Sequence, residues 1–207
     1  MKNIIVFVCA IFIFIACDYT YQQNEETPES KAIIYFSLGD ATVNNTKVKI
    51  GQEIKDNDII KTGHESYVEV KFGKQSGFRI REESEVLIHL KDAFSLDVKK
   101  GKVLNILEKK SRYSVRTPAA VAAVRGTIFF VAAMNADSSY FCACNGTISI
   151  ENLDGTSLKQ LSSSHHQANF CEENNGNPAL SEAGMFEHTD LEIFEFMYRL
   201  DNALKNE

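Results

Sequence analysis

The residues best suited to chemistry are cysteines and histidines in the last third of the chain. A Cys-x-Cys pair is followed by four further candidates, and the full set is Cys142, Cys144, His165, His166, Cys171 and His188. Thiolate and imidazole are a usual ligand combination for Zn²⁺ and also suit Cu⁺ or iron. The spacing matches no standard zinc finger, and the haem signature CxxCH is absent. The pattern therefore predicts a metal- or redox-active site, with a transition-metal ion such as Zn²⁺ as the expected cofactor.

Two other interpretations of these residues stay open. In an oxidising compartment, Cys171 would form a disulfide with Cys142 or Cys144. Alternatively, the histidines are surface residues without a ligand. Cys9 and Cys17 belong to the N-terminal signal, so three thiols remain beyond it, and an odd number cannot close fully into internal disulfides.

The N-terminus has the pattern of a bacterial export signal. Lys2 precedes an apolar run from Ile4 to Ala16, about 13 residues long, whereas a spanning helix needs ~20. Ala16-Cys17 resembles a lipobox, in which the cysteine is acylated and becomes the first residue of the mature protein. We therefore expect residues 1–16 to be a signal peptide and Cys17 to carry lipid. An ordinary signal peptide or an uncleaved anchor is the alternative.

Charge narrows the choice of partners. The chain has 22 Lys+Arg and 28 Asp+Glu, a net charge of -6. Removing residues 1–16 takes away Lys2 and no acid, which leaves 21 against 28, or -7. We therefore expect no nucleic-acid binding and no polybasic membrane patch, so that the lipid is the membrane anchor. Asp18 after the cysteine slightly favours the inner membrane, on its periplasmic side.

The middle of the chain alternates with the period of a β-strand. Residues 17–31 are mostly polar and predict a solvated tether. From residue 32 to 150, short alternating runs are separated by Gly, Asp or Asn; in residues 67–72, for instance, valine, valine and phenylalanine share one face. Without 10–15-residue helical stretches between the runs, a parallel βαβ sheet is not expected. The pattern predicts an all-β antiparallel sandwich or roll of many short strands.

The last residues change to a helical period. Thr189-x-x-Glu192 is a capping box. The apolar positions that then recur at helical spacing are Leu191, Phe194, Met197, Leu200 and Leu204, joined by Ile193 and Phe196. They predict a helix from about Asp190 to Lys205 that packs on the β domain, a partner-binding helix being the alternative. Residues 151–207 are thus expected to be an extension with a loop at Cys171–Glu182 and a helix.

The β region resembles the FecR-type extracytoplasmic domain family. Residues 51–63 (GQEIKDNDIIKTG) are similar to its opening motif, with Asn57 where glycine is usual. Residues 115–129 (VRTPAAVAAVRGTIF) are similar to its closing motif T-P-x-A-x-x-x-V-R-G-T-x-F. The resemblance covers about residues 33–150. It implies an extracytoplasmic binding or sensing domain.

The best-known members of that family control a sigma factor through a cytoplasmic segment and a membrane helix. Only three residues precede the apolar run here, so we expect the fold and the compartment to carry over without that mechanism. Walker A, GxSxG and HExxH motifs are also absent, and we expect no enzyme. The expected partner is an envelope protein or a cell-wall polymer. The alternative function is that of a metal- or redox-active envelope domain.

The closing motif contains another candidate contact. Arg125, Gly126 and Thr127 follow a bend of small residues, where the guanidinium offers five donors in a fixed fork. Those donors would hold carbonyls of the bend or, in the functional interpretation, a ligand or partner. We expect the structural role.

The resemblance also sets the register of the thiols. Counted back from Gly146, the inward positions of the family fall on Phe141 and Ala143. Cys142 and Cys144 are then expected on the opposite face, roughly 6–7 Å apart. We expect a chain reversal at Asn145-Gly146 that lets residues 157–166 return beside the thiols. Since adjacent strand residues point to opposite faces, only one of His165 and His166 should join them unless the strand ends there.

Overall fold

The computed structural model describes residues 31–91, 93–109, 112–174 and 178–205. The signal peptide, Cys17 and most of the tether lie outside the described residues. The described elements, in chain order, are β1 (Ala32–Leu38), β2 (Ala41–Val43), β3 (Thr46–Lys47), β4 (Glu53–Ile54), β5 (Ile59–Thr62), β6 (Tyr67–Phe72), β7 (Ser76–Ile80), β8 (Glu85–His89), β9 (Phe94–Ile106), β10 (Tyr113–Arg116), β11 (Val121–Val124), β12 (Ile128–Ala133), β13 (Ser138–Glu151), β14 (Ser157–Ser163), β15 (Gln167–Glu172), β16 (Ala179–Ala183) and α1 (Asp190–Lys205).

The strands form two layers that share the long strands β9 and β13. One layer has the order β4-β1-β6-β7-β9-β12-β13-β15-β16, and the other has the order β3-β2-β5-β8-β9-β10-β11-β13-β14. Among the described strands, the pairing of β9 with β10 is parallel and the others are antiparallel. The apolar core lies between the layers. The predicted all-β class with one C-terminal helix is confirmed.

The sheet continues past residue 150, where we expected a loop. Strand β14 pairs with β13, and β15 and β16 extend the first layer. In residues 171–182, the segment predicted as a loop, β15 ends at Glu172 and β16 begins at Ala179. The added strands widen the layer on which α1 packs.

Strand β13 bends at Gly146 and does not reverse there, so the predicted turn at Asn145-Gly146 is wrong. Gly146 has a φ of +119°, and a Cβ at this position would lie 1.9 Å from Thr127 Oγ1. Only glycine fits this bend, which carries β13 from one layer into the other. The chain reverses later, where the Asn152 amide donates to the Thr156 carbonyl. Strand β14 then returns along the second half of β13, as the expected path of residues 157–166 required.

Helix α1 packs on the outer face of the first layer through a narrow row of side chains. Ile193, Phe196 and Leu200 are buried, and they form a second apolar cluster with sheet residues that include Phe130 and Tyr140. Leu200 fits over Gly77, where an added Cβ would come within 3.0 Å of it. Packing of the helix on the β domain is therefore as predicted.

The buried row of α1 differs from the row that the sequence favoured. Leu191 and Phe194 are 74% and 65% exposed, and Met197 is 39% exposed. The capping box is also only half formed, because Thr189 Oγ1 accepts from the Glu192 amide while the Glu192 carboxylate pairs with Arg79 and Arg81. This charge pairing fixes the rotation of the helix and turns the residues at 193, 196 and 200 toward the sheet.

A buried ion network fixes the middle of the helix. Glu69 on β6 is fully buried, and its carboxylate accepts from Arg79 Nε at 2.9 Å and from Arg199 Nη2 at 2.9 Å. Further along, Lys71 Nζ donates to the Ala203 carbonyl at 2.9 Å near the C-terminal end of α1.

Within the described residues, no helix is long and apolar enough to cross a membrane.

Candidate metal centre

Four side chains converge where α1 begins. The ligand atoms of Cys142, Cys144, His166 and His188 all lie within 4.8 Å of one another. The two sulfurs are 3.9 Å apart, and the two nearest ring nitrogens are 3.3 Å apart. Cys142 Sγ lies 3.5 Å from His166 Nδ1, and Cys144 Sγ lies 3.4 Å from His188 Nε2.

These separations fit the donor set of one tetrahedral ion. Zn–S bonds of about 2.3 Å and Zn–N bonds of about 2.05 Å at tetrahedral angles place two sulfurs about 3.8 Å apart. The same geometry places sulfur and nitrogen about 3.6 Å apart and two nitrogens about 3.3 Å apart. The four measured distances agree with these values to within about 0.2 Å, so the four side chains fit the donor set of a tetrahedral Zn²⁺ ion.

The thiols reach the centre because of their register on β13. Phe141 and Ala143 point into the main core, as the register predicted, while Cys142 and Cys144 point to the other face. On that face, Cys142 and Cys144 share a buried apolar cluster with residues of α1, and both sulfurs are shielded from water.

His166 owes its position to a bend between β14 and β15. Its φ is +49°, in the left-handed region that non-glycine residues seldom adopt, and its amide donates to the Cys144 carbonyl at 3.1 Å. This backbone turns the ring toward the thiols. His165 points away, with its side chain 72% exposed. One member of the pair joins the thiols and the other does not, but β14 ends at Ser163, so the bend and not strand alternation separates the two rings.

His188 enters the centre from the residue before the helix N-cap. Its ring stacks on Phe130, with the centroids 4.4 Å apart and 14° between the planes. Its Nδ1 lies 2.8 Å from the Phe186 carbonyl. Because a carbonyl only accepts, Nδ1 carries the proton, and the lone pair of Nε2 faces the thiols.

A carboxylate orients the other imidazole. Asp190 Oδ1 lies 2.8 Å from His166 Nε2, which donates to it, so in the neutral ring the lone pair of Nδ1 faces Cys142, whereas in the protonated ring Nδ1 donates to Cys142 Sγ. Ligating histidines in proteins usually donate their second ring proton to a carboxylate or a carbonyl, and both do so here. Sequence reasoning missed the role of Asp190, which it placed only at the start of the helix. An acidic residue two positions after a candidate histidine was the available signal.

The two thiols share their protons unequally. The hydrogen bond from Cys144, together with His188 and His166, lowers the pKa of Cys142 to about 4 despite burial. The same hydrogen bond, followed by burial, raises the pKa of Cys144. Burial opposes protonation of His166, but hydrogen bonds to Asp190 and Cys142 outweigh it and raise the pKa of that ring. At neutral pH Cys142 is therefore a thiolate, the form of cysteine that binds a cation.

A second group of potential ligands overlaps the first. His165, His166 and Asp190 also lie close together, and His165 Nε2 is 3.1 Å from Asp190 Oδ2. This group is more exposed and has no thiol. It would also use the same nitrogen of His166 that donates to Asp190. We therefore assign Asp190 to orienting the imidazole of the buried centre.

Cys171 does not belong to the centre. It pairs in register with Ser139, which puts its side chain in the main core on the opposite face from Cys142 and Cys144. Burial and then the charges of Glu173 and Glu172 raise its pKa to about 11, which marks an inert thiol. Its predicted roles as a metal ligand and as a disulfide partner of those two cysteines are both wrong for this geometry.

In the closing motif, the residue that stabilises the bend is not the one that we expected. Arg125 is exposed and makes no hydrogen bond or ion pair with another described residue, so its predicted role in holding the bend is wrong. Thr127 holds the bend instead, because its Oγ1 donates to the Asn145 carbonyl at 2.6 Å. Gly126, the residue before Thr127, has a φ of +71°, a backbone conformation that glycine adopts without strain. This contact supports the bend that follows the thiols.

The architecture defines a β-sheet domain closed by one docked helix, with a buried four-ligand cluster under the start of that helix. Residues 58–165 match the family model described as FecR protein. The match covers more than half of the chain, which therefore belongs to the FecR protein family, as its motifs suggested. Domains of this family are typically extracytoplasmic.

Solved structures support the fold. Two chains from Parabacteroides distasonis ATCC 8503, each described as a "putative anti-sigma factor", are similar to this chain with TM-scores of 0.50. One is 15% identical, with 60% of this chain and 59% of that chain covered; the other is 13% identical, with 70% and 74% covered. This chain thus spans about three fifths of the length of the first. No curated protein is similar enough to count as a match.

Proposed function

We propose that this chain is a membrane-tethered, extracytoplasmic FecR-type sensing domain that binds one transition-metal ion of the Zn²⁺ class. The observation that carries the proposal is the convergence of two sulfurs and two imidazole nitrogens at the separations of a tetrahedral site. The orientation of both rings by partners outside the cluster supports it, because those contacts leave the lone pairs facing the thiols.

The donor set favours a structural or sensory ion over a catalytic one. Catalytic zinc sites keep one position open for water or substrate, and structural sites fill all four positions with protein groups. Cys142, Cys144, His166 and His188 supply four donors, and three of them are buried. The descriptions of the two similar structures also favour a regulatory role over an enzymatic one.

The proposals for the tether and for the partner of the domain are based on the sequence. The lipobox-like Ala16-Cys17 and the polar residues up to 31 favour a lipid anchor at the periplasmic face. The net charge of -6 gives no basic face for nucleic acid. An envelope protein or a cell-wall polymer is the expected partner of the sensing domain.

Metal analysis of the full chain, purified without a histidine tag, tests the metal proposal. We expect one zinc per chain in the wild type and less than about a tenth of that in Cys144→Ser, which removes one of four donors. Cys171→Ser is the matched control, because it removes an equally buried thiol on the other face and should keep one zinc. His64→Ala removes an exposed histidine and should also keep it.

Two results would reject the metal proposal. One is a wild-type protein that takes up no metal from zinc-supplemented medium. The other is equal loss of metal in Cys144→Ser and Cys171→Ser while the sheets of both variants remain folded. A far-UV circular dichroism spectrum of each variant shows whether its sheet is intact.

A further inference from the structure

The four donors come from parts of the chain that are far apart. Cys142 and Cys144 lie on β13, and His166 lies at the bend before β15, all within the sheet. His188 lies 44 residues after Cys144, in the segment that leads into α1. An ion held by all four would therefore join the helix to the sheet.

The remaining contacts give α1 a small docking face. Three side chains, Ile193, Phe196 and Leu200, are fully buried in a helix of 16 residues. The opposite face exposes Leu191, Phe194 and Tyr198, so it contributes no burial to the docked state. Ordering 16 residues costs conformational entropy, and the burial of three side chains offsets only part of that cost. Docking therefore also depends on polar contacts, which are called anchors here.

The anchor at the middle of the helix is a buried ion network. Arg199 and Arg79 both bind the fully buried Glu69. The cost of removing such charges from water cancels much of their attraction, so a buried ion pair specifies an orientation more than it adds stability. The start of the helix has two polar anchors. One is the group of four potential ligands, with Asp190 bound to His166, and the other is the Glu192 carboxylate, which pairs with Arg79 and Arg81.

We infer that occupancy of the metal centre governs whether α1 stays docked on the sheet. This inference rests on the metal site proposed above and adds its consequence for the fold. The docked state offers the ion four donors, and the undocked state offers three. An ion shifts an equilibrium toward the state that binds it more tightly, so metal binding favours docking by linkage.

Undocking would expose a defined surface. Ile193, Phe196 and Leu200 of α1 share one buried apolar cluster with sheet residues that include Leu104, Phe130 and Tyr140 on the outer face of the first layer. With the helix released, these side chains and the buried row of α1 would become available to a partner of apolar character. Loss of metal would thus convert a closed surface into an open one, which gives a sensing domain two states.

Hydrogen exchange measured by mass spectrometry on the full, tag-free chain tests this inference. Zinc-loaded protein is compared with the same protein after treatment with a zinc chelator, and zinc content is measured on both samples. We expect amides of residues 188–205 to exchange at least about tenfold faster after chelation, while amides of β6, β7 and β9 keep their rates. Added zinc should restore the protection.

A variant pair makes the test independent of chelation. In His188→Ala the helix loses its ligand, so residues 190–205 should exchange fast even with zinc present. His64→Ala, which removes an exposed histidine in the turn between β5 and β6, outside the centre, should exchange like the wild type. Binding of the dye ANS should rise in His188→Ala and stay low in His64→Ala.

The outcomes separate the two proposals. Proven loss of zinc with unchanged protection of residues 188–205 overturns the docking inference and leaves the metal site standing. Loss of protection throughout β6, β7 and β9 also overturns it, because metal would then hold the whole fold. A wild type that binds no zinc overturns both.

Discussion

His188 Nε2 lies 3.4 Å from Cys144 Sγ, although the two residues are separated by 44 positions. The contact brings together the bend of β13 and the start of α1, two features that the sequence marks by unrelated signals. It brings His188 to the same site as Cys142, Cys144 and His166.

The packing of α1 predicts unequal effects of two leucine substitutions. Leu200 is 3% exposed against the sheet, so Leu200→Ala should lower the free energy of unfolding by ~2–5 kcal/mol. Leu191 is 74% exposed, so Leu191→Ala should change it by less than about 0.5 kcal/mol. Urea denaturation of the zinc-loaded protein measures both. Equal losses in the two variants would contradict the orientation of the helix.

The buried network under α1 predicts a large penalty for losing its acid. Glu69→Gln would leave the side chains of Arg79 and Arg199 without their shared carboxylate, which should cost about 3–5 kcal/mol. Asp201→Asn is the matched control, because its pair with Lys205 is exposed and such i,i+4 pairs contribute about 0.3–0.5 kcal/mol. Thermal unfolding distinguishes them. A Glu69→Gln protein as stable as Asp201→Asn would show that the network contributes nothing.

Asp190 is predicted to tune the metal site without supplying a donor to it. Asp190→Asn should weaken zinc affinity about 10–100-fold, since the carboxylate that orients His166 becomes a poorer acceptor. The stoichiometry should remain one ion per chain. Competition with a zinc-binding dye measures the affinity, and Asp201→Asn on the same helix serves as the control. An unchanged affinity in Asp190→Asn would remove Asp190 from the account.

Much of the fold was accessible from the sequence. Alternation between residues 32 and 150 predicted the strands, and Thr189 marked the start of the helix to within a residue. Apart from the return of residues 157–166 along β13, the strands in residues 151–183 were not predicted, because short polar strands such as β16 carry little periodic signal of their own. They form only because neighbouring strands present open edges.

Part of the candidate site could also be predicted from the sequence. Strand register placed Cys142 and Cys144 on one face. The choice of His166 over His165 depends on the bend between β14 and β15, which the rule of alternation does not cover. Cys171 was misplaced because its face depends on pairing with Ser139, a non-local register that no local pattern encodes. Asp190 was missed because a first-turn acid has a local explanation that hides its contact with His166.

The lipid anchor is predicted from residues outside the structure. Palmitate labelling should mark the wild type and leave Cys17→Ser unlabelled, because acylation requires the thiol of the lipobox-like motif. Cys171→Ser, a buried thiol far along the chain, should be labelled like the wild type. Equal labelling of wild type and Cys17→Ser would show that another residue, or no lipobox, is responsible.

Zinc K-edge X-ray absorption on the tag-free full chain examines the coordination of the ion itself. The geometry of Cys142, Cys144, His166 and His188 predicts two sulfur neighbours at about 2.3 Å and two imidazole nitrogens at about 2.0–2.1 Å. In Cys144→Ser, the sulfur contribution of any remaining zinc should fall by half. A wild-type spectrum with only oxygen and nitrogen neighbours, or with four sulfurs, would contradict the proposed centre.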